Sequence, residues 1–306
     1  MPRVPPQLLL LIAIAIWGVS FSAVKVPLDR GVPPFALLTA RFWLAVLCLL
    51  PWALRGRRDG TLRSEALRGV VTGLFLLLGY VLQTTGMQHA TASVGGFLTG
   101  LITLLVAVGA VVLFGERLRA PTVLGVALGT AGVAFLCFGG APPADPDADT
   151  SLLGVALLAG SSISYAAHVL VLSRLARGGR ETVYCWWQLL TVAVGVSAAM
   201  PLWGGVGEVA TWGADPQVLG CIAFLGVFAL AIAIGIQARA QPRIRQSQVA
   251  VLFALQPAFA ALGGAVLLGE RMTGLEWTGG ALIAAGVLCA ELLGRGRTAM
   301  PAPTEA

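Results

Sequence analysis

The chain has 306 residues, of which 57% are hydrophobic and 11% charged, and its mean hydropathy is +0.86. A water-soluble domain carries about 25% charged residues on its surface, so this composition excludes a soluble globular protein and requires a bilayer as solvent. The net charge of +6 does not indicate nucleic acid, because the arginines lie between apolar runs and do not interleave with aromatics.

Catalytic and metal chemistry find little to work with. The five cysteines (Cys48, Cys137, Cys185, Cys221, Cys289) are odd in number, sit in apolar runs and form no CxxC pair, which supports neither a disulfide framework nor a metal site. There are two histidines, His89 and His168, and no GxxxxGK[ST] phosphate loop. No cofactor is expected.

A membrane-crossing helix needs about 20 predominantly apolar residues. In chain order such runs are Leu8–Val26, Phe35–Leu54, Leu67–Met87, Ser93–Phe114, Pro121–Phe138, Leu152–Leu175, Val183–Met200, Val218–Ala238, Val249–Leu268 and Leu275–Leu293. The first, preceded by Arg3, imitates a signal peptide but reads as an uncleaved span. Basic residues keep to the cytoplasmic side of short loops. Sixteen arginines fall in alternate segments, against Arg30 and Arg271 in the opposite ones, which also hold the acidic stretch 141–150. That asymmetry predicts an even span count, with both termini cytoplasmic.

An internal repeat organises the ten spans. Ser93–Val133 laid on Ser247–Val287 matches at 16 of 41 positions without a gap, where composition alone gives about four. Gly115-Glu116-Arg117 meets Gly269-Glu270-Arg271, and Gln83 meets Gln237 at the same offset. A five-span unit is odd, so its second copy enters the membrane from the other side, the inverted arrangement of secondary transporters. The expected fold is therefore all-α and polytopic, with ten transmembrane helices in two inverted five-helix repeats. These are residues 1–140, an acidic extracytoplasmic linker at 141–150, residues 151–293, and a disordered cytoplasmic tail at 294–306. The Gly-Glu-Arg stretch reads as the elbow of a helical hairpin, where glycine stops one helix, glutamate suits the positive start of the next and arginine the negative end of the last; the alternative is a charge pair gating the pore.

The repeat, "WGVSF" in the first helix, "ARFWLA" in the second and the paired "GERL" and "GERM" resemble the EamA-like branch of the drug/metabolite transporter superfamily. The resemblance covers about residues 8–293. It implies a bacterial cytoplasmic-membrane exporter or permease for small metabolites, with a central cavity between the halves. The four-helix multidrug exporters of that superfamily carry a glutamate in their first helix, whereas Leu8–Val26 contains no acid.

Polar groups inside hydrocarbon are costly and so mark function. Arg41 either snorkels to the outer headgroups or lines a vestibule that attracts a carboxylate. His168, beside Tyr165, is the mid-span group suited to proton coupling, or else bonds a neighbouring helix. Gln83 and Gln237 offer donors and acceptors to a neutral or zwitterionic ligand, or bond other helices. Gln256-Pro257 predicts a kink with exposed backbone groups, tolerated beside a cavity. Trp17, mid-span and far from either interface, is a packing residue or a cavity wall for apolar and aromatic ligands.

The leading expectation is a secondary transporter exporting small neutral, zwitterionic or anionic organic metabolites. Its partners are a small-molecule substrate, a coupling proton, the lipid bilayer and a second copy of the chain, with no nucleic acid. A polytopic membrane enzyme and a non-catalytic scaffold are the alternatives. The first is disfavoured because the acids are confined to loops, tails and helix ends; the second because the loops are too short to form a partner domain.

Overall fold

The computed structural model describes residues 4–55, 62–89, 92–138, 152–176, 181–203, 215–267 and 273–289. The linker at 141–150, the second Gly-Glu-Arg elbow and the tail at 294–306 lie outside them. All regular structure among the described residues is helical: α1 (Pro6–Asp29), α2 (Pro34–Arg55), α3 (Leu62–Gly86), α4 (Ala92–Phe114), α5 (Ala120–Phe138), α6 (Leu152–Leu175) and α7 (Glu181–Trp203). The eighth span, α8, is a continuous run of α-helix Pro216–Phe224, π-helix Leu225–Ile232 and α-helix Ala233–Ala240. The ninth, α9, is broken into Gln246–Phe253 and Gln256–Leu267, and α10 is Gly274–Leu288.

Helix ends follow local chemistry. Proline at the first position opens α1 and α8, where its missing N–H has no partner to lose. The Asp215 carboxylate caps α8 by accepting the backbone N–H groups of Gln217 and Val218. Gly115 has φ +62°, and its N–H donates to the Val111 carbonyl at 3.0 Å, a left-handed glycine stop that ends α4. The break in α9 falls at Ala254 and Leu255, just before Pro257, which cannot donate to the Phe253 carbonyl.

Packing follows a two-fold rule. Adding five to each helix number, and counting past ten from one again, maps the main contacts of the bundle onto one another. α1 on α9 becomes α6 on α4, and α3 on α6 becomes α8 on α1. α3 on α7 becomes α8 on α2, while α2 on α7 and α5 on α10 map onto themselves. The α5–α10 crossing shows this at atomic scale. A Cβ at Gly132 would lie 2.5 Å from the Gly279 carbonyl oxygen, and one at Gly286 would lie 2.7 Å from that of Gly125. These are one contact repeated through the 154-residue offset of the sequence repeat. The two helices run antiparallel and meet through equivalent residues, so the axis relating the halves crosses them and lies in the membrane plane.

The polarity of the bundle suits lipid. Val112 and Val266, equivalent in the two repeats, are 73% and 81% exposed. Thr72, Ser161, Ser162, His168, Gln188, Gln237 and Gln241 are buried. Polar side chains thus turn inward and apolar ones outward, the distribution a hydrocarbon solvent imposes.

Candidate functional site

A cavity opens between the two halves, enclosing about 870 Å³ of empty space with the open solvent at its mouth included. All seven residues singled out from the sequence line it: Trp17, Arg41, Gln83, Tyr165, His168, Gln237 and Gln256. It extends toward the C-terminal ends of α1 and α3, where Val24 and Met87 contribute.

One wall is aromatic. Arg41, 4% exposed, holds its guanidinium carbon 4.9 Å from the Tyr80 ring centroid and 5.7 Å from that of Phe42. Of the two placements open to it, the side chain takes the cavity. Tyr80 meets Phe42 edge-on at 5.0 Å and Tyr165 edge-on at 5.5 Å, the geometry favoured by ring quadrupoles. Tyr165 fits there because residue 79 is glycine: a Cβ would lie 2.5 Å from its ring. The Tyr165 hydroxyl donates to Gln83 Oε1 at 3.1 Å, joining α6 to α3.

Trp17 ties the first repeat to the second. Its indole N–H donates to the Ala229 carbonyl at 2.7 Å, within the π-helical part of α8. Its ring stacks on Phe253 of α9 with centroids 6.1 Å apart and planes 21° apart. A π-helical insertion disturbs the regular hydrogen-bond ladder and often sits at functional sites. Here one of its carbonyls serves the cavity wall.

At the floor, His168 Nδ1 lies 3.2 Å from the Thr72 carbonyl oxygen. A carbonyl only accepts, so Nδ1 carries the proton and Nε2 is left with a lone pair. Nε2 is buried without a partner. Thr72 itself is held by the Tyr184 hydroxyl, which donates to its Oγ1 at 2.7 Å, and by Gln188.

Below the floor a chain of buried amides closes the bundle. Gln237 Nε2 donates to Gln241 Oε1 at 2.8 Å. Gln241 Nε2 donates to Ser173 Oγ at 2.6 Å, and that hydroxyl donates to Gln246 Oε1 at 2.8 Å. The chain ends on Glu116. Its carboxylate accepts the backbone N–H of Gln246 at 3.0 Å and of Ser247 at 3.2 Å. The sequence assigned Glu116 to the start of the helix that follows it; the carboxylate instead caps α9, in the other repeat.

Several of these residues escaped the sequence reading. Tyr80 had a signal, lying three positions before Gln83 and so on the same helix face. Gln241 and Gln246 fell outside the expected spans, whose limits were set by hydropathy. The folded chain continues α8 to Ala240, adds a 3₁₀ turn at Gln241–Arg243 and begins α9 at Gln246. Thr72, Ser173 and Tyr184 stand in apolar runs with no pattern of their own.

A cavity with a few polar groups in a mostly apolar lining, enclosed by two inverted halves of a polytopic helical membrane protein, is the arrangement of a membrane transporter. Comparison with known proteins supplies the family. The model of the EamA-like transporter family matches residues 5–138 and again 152–291. The chain belongs to that family, within the drug/metabolite transporter type. It is 26% identical over 291 residues to an uncharacterized transporter of Archaeoglobus fulgidus, covering 95% of this chain and 87% of that one. It is also 26% identical over 295 residues to a probable amino-acid metabolite efflux pump of Escherichia coli K12, covering 91% and 92%. A crystal structure 23% identical in sequence superposes with a TM-score of 0.78 over 95% of this chain and 97% of that one, a likeness of fold.

Proposed function

We propose that the protein is a secondary active transporter of the bacterial cytoplasmic membrane, with both termini cytoplasmic, that exports small neutral, zwitterionic or anionic organic metabolites by alternating access. The observation that carries this reading is the shape of the polar interior. A cavity lined by Trp17, Arg41, Gln83, Tyr165, His168, Gln237 and Gln256 reaches one end of the bundle, while the amide chain from Gln237 to Glu116 closes the other. The closed end carries Arg174, Arg239, Arg243 and Arg245, the side that the positive-inside rule assigns to the cytoplasm. In this state the cavity faces outward, and release to the outside is the step it is poised for.

The two-fold packing gives the return step a physical basis. Contacts related by the axis can exchange roles, so an arrangement closed at one end implies a related arrangement closed at the other. His168 is the coupling group: its Nε2 can take a proton while Nδ1 stays bonded to Thr72. Substrates are amino-acid-like or aromatic compounds, held by the aromatic wall and by amides that both donate and accept. The name of the Escherichia coli relative points the same way.

The test is flux into proteoliposomes of a mixed amino-acid and metabolite panel, with and without a pH gradient. Saturable flux that responds to the gradient supports the reading, and no flux of any class in correctly oriented protein contradicts it. A product formed from a panel member, in place of its movement, would favour a membrane enzyme.

A further inference from the structure

We infer that the cavity is built for an organic monoanion, a carboxylate on an apolar or aromatic body, in preference to a zwitterion or a cation; the inference rests on the transport reading above. The charge inventory of the wall carries it. Among the described residues that line it, Arg41 is the single formal cation and there is no aspartate or glutamate. The guanidinium is buried, its Nε meets no acceptor, and no carboxylate pairs with it among the described residues. An uncompensated buried charge is costly to hold, and one negative charge entering beside it removes the cost. A dianion would overshoot neutrality.

A zwitterion neutralises Arg41 with its carboxylate but brings an ammonium that finds no acid. Two of the aromatic faces are already engaged: Tyr80 carries Arg41, and Trp17 is stacked on Phe253. The second unpartnered atom, His168 Nε2, is a lone pair held in place by the Nδ1 bond to Thr72. It accepts an uncharged donor such as a hydroxyl or an amide N–H. The cavity therefore offers one anion site, one acceptor and aromatic walls between them.

Three probes that share one ring separate the possibilities: 3-phenylpropionate, phenylalanine and phenylalaninamide. Initial flux is measured in proteoliposomes, with entry into protein-free liposomes subtracted. The expected order is propionate above amino acid above amide, with at least a tenfold span. Arg41→Gln is expected to lower propionate flux at least tenfold and to abolish the order, while Arg41→Lys keeps the order at reduced flux. Should Arg41→Gln fail to fold, the wild-type order and the wild-type thermal shift with each probe decide, propionate giving the largest shift. Equal or reversed flux in the wild type overturns the monoanion preference, and an order that survives in Arg41→Gln overturns the role of Arg41. No flux of the three while other panel solutes move contradicts this inference alone. No flux of any solute contradicts the transport reading along with it.

Discussion

Glu116 and Gln246 stand 130 positions apart in the chain, yet the carboxylate of the one accepts the backbone N–H of the other at 3.0 Å. One residue belongs to the hairpin elbow of the first repeat and the other opens α9 of the second. The bond therefore latches the two halves together at the closed end of the cavity. A carboxylate at a helix N-terminus satisfies unpaired N–H groups and meets the positive end of the dipole. Glu116→Ala is expected to weaken closure by about 1 kcal/mol, about fivefold in the ratio of closed to open forms. Thiol labelling of a Ser173→Cys reporter from the elbow side measures it. Unchanged labelling means the latch does not hold the end shut.

The α5–α10 crossing depends on the absence of side chains at its centre. A Cβ at Gly132 would meet a backbone oxygen at 2.5 Å, and a carbonyl cannot rotate away. Gly132→Val is expected to force the helices apart and to destabilise the protein by about 2 kcal/mol, lowering Tm by several degrees. Gly220→Ala is the control, since nothing lies within 4 Å of the added Cβ. Equal melting temperatures for the two variants would show that the crossing is not tightly packed.

Trp17 is expected to contribute through its N–H as well as its ring. Trp17→Phe keeps an aromatic face but leaves the Ala229 carbonyl without its 2.7 Å donor. A cost of about 1–2 kcal/mol follows from an acceptor left unsatisfied, read as a lower Tm of the purified protein. A thermal transition like that of the wild type would mean another donor reaches Ala229.

For His168 the informative comparison is between driven and undriven transport. His168→Gln removes the titrating nitrogen but keeps an amide that can donate to the Thr72 carbonyl. Flux driven by a pH gradient is expected to fall at least tenfold, whereas exchange of labelled for unlabelled substrate at equal pH continues. Gradient-driven flux at the wild-type rate would assign coupling elsewhere.

Much of the architecture is legible in the sequence, because hydrocarbon imposes one rule on every span and the repeat fixes how spans correspond. Gly132 and Gly286 are equivalent in the repeat, and its symmetry makes their contacts, with Gly279 and Gly125 respectively, equivalent as well. The cavity residues were legible for a related reason. Mid-span polar or aromatic groups are few, and Arg41, Gln83 and His168 stood out against their surroundings. What stayed hidden depended on where chains end and cross. Gln241 and Gln246 lie at the ends of α8 and α9, where hydropathy is a poor guide to helix limits. The partner of Glu116 is set by tertiary placement, which local capping rules do not contain. The π-helical stretch Leu225–Ile232 has no sequence signal distinct from ordinary helix.

The central claim is that the cavity opens to one end at a time. Single cysteines at Met87, lining the cavity toward the C-terminal end of α3, and at Ser173, within the closing amide chain, test it when labelled by a membrane-impermeant thiol reagent supplied from either side. The account predicts that Met87→Cys reacts while Ser173→Cys is protected, and that a substrate gradient drives the two reactivities in opposite directions. Simultaneous labelling of both sites would describe a channel, and reactivities that never change would describe a static pocket; either result contradicts the account.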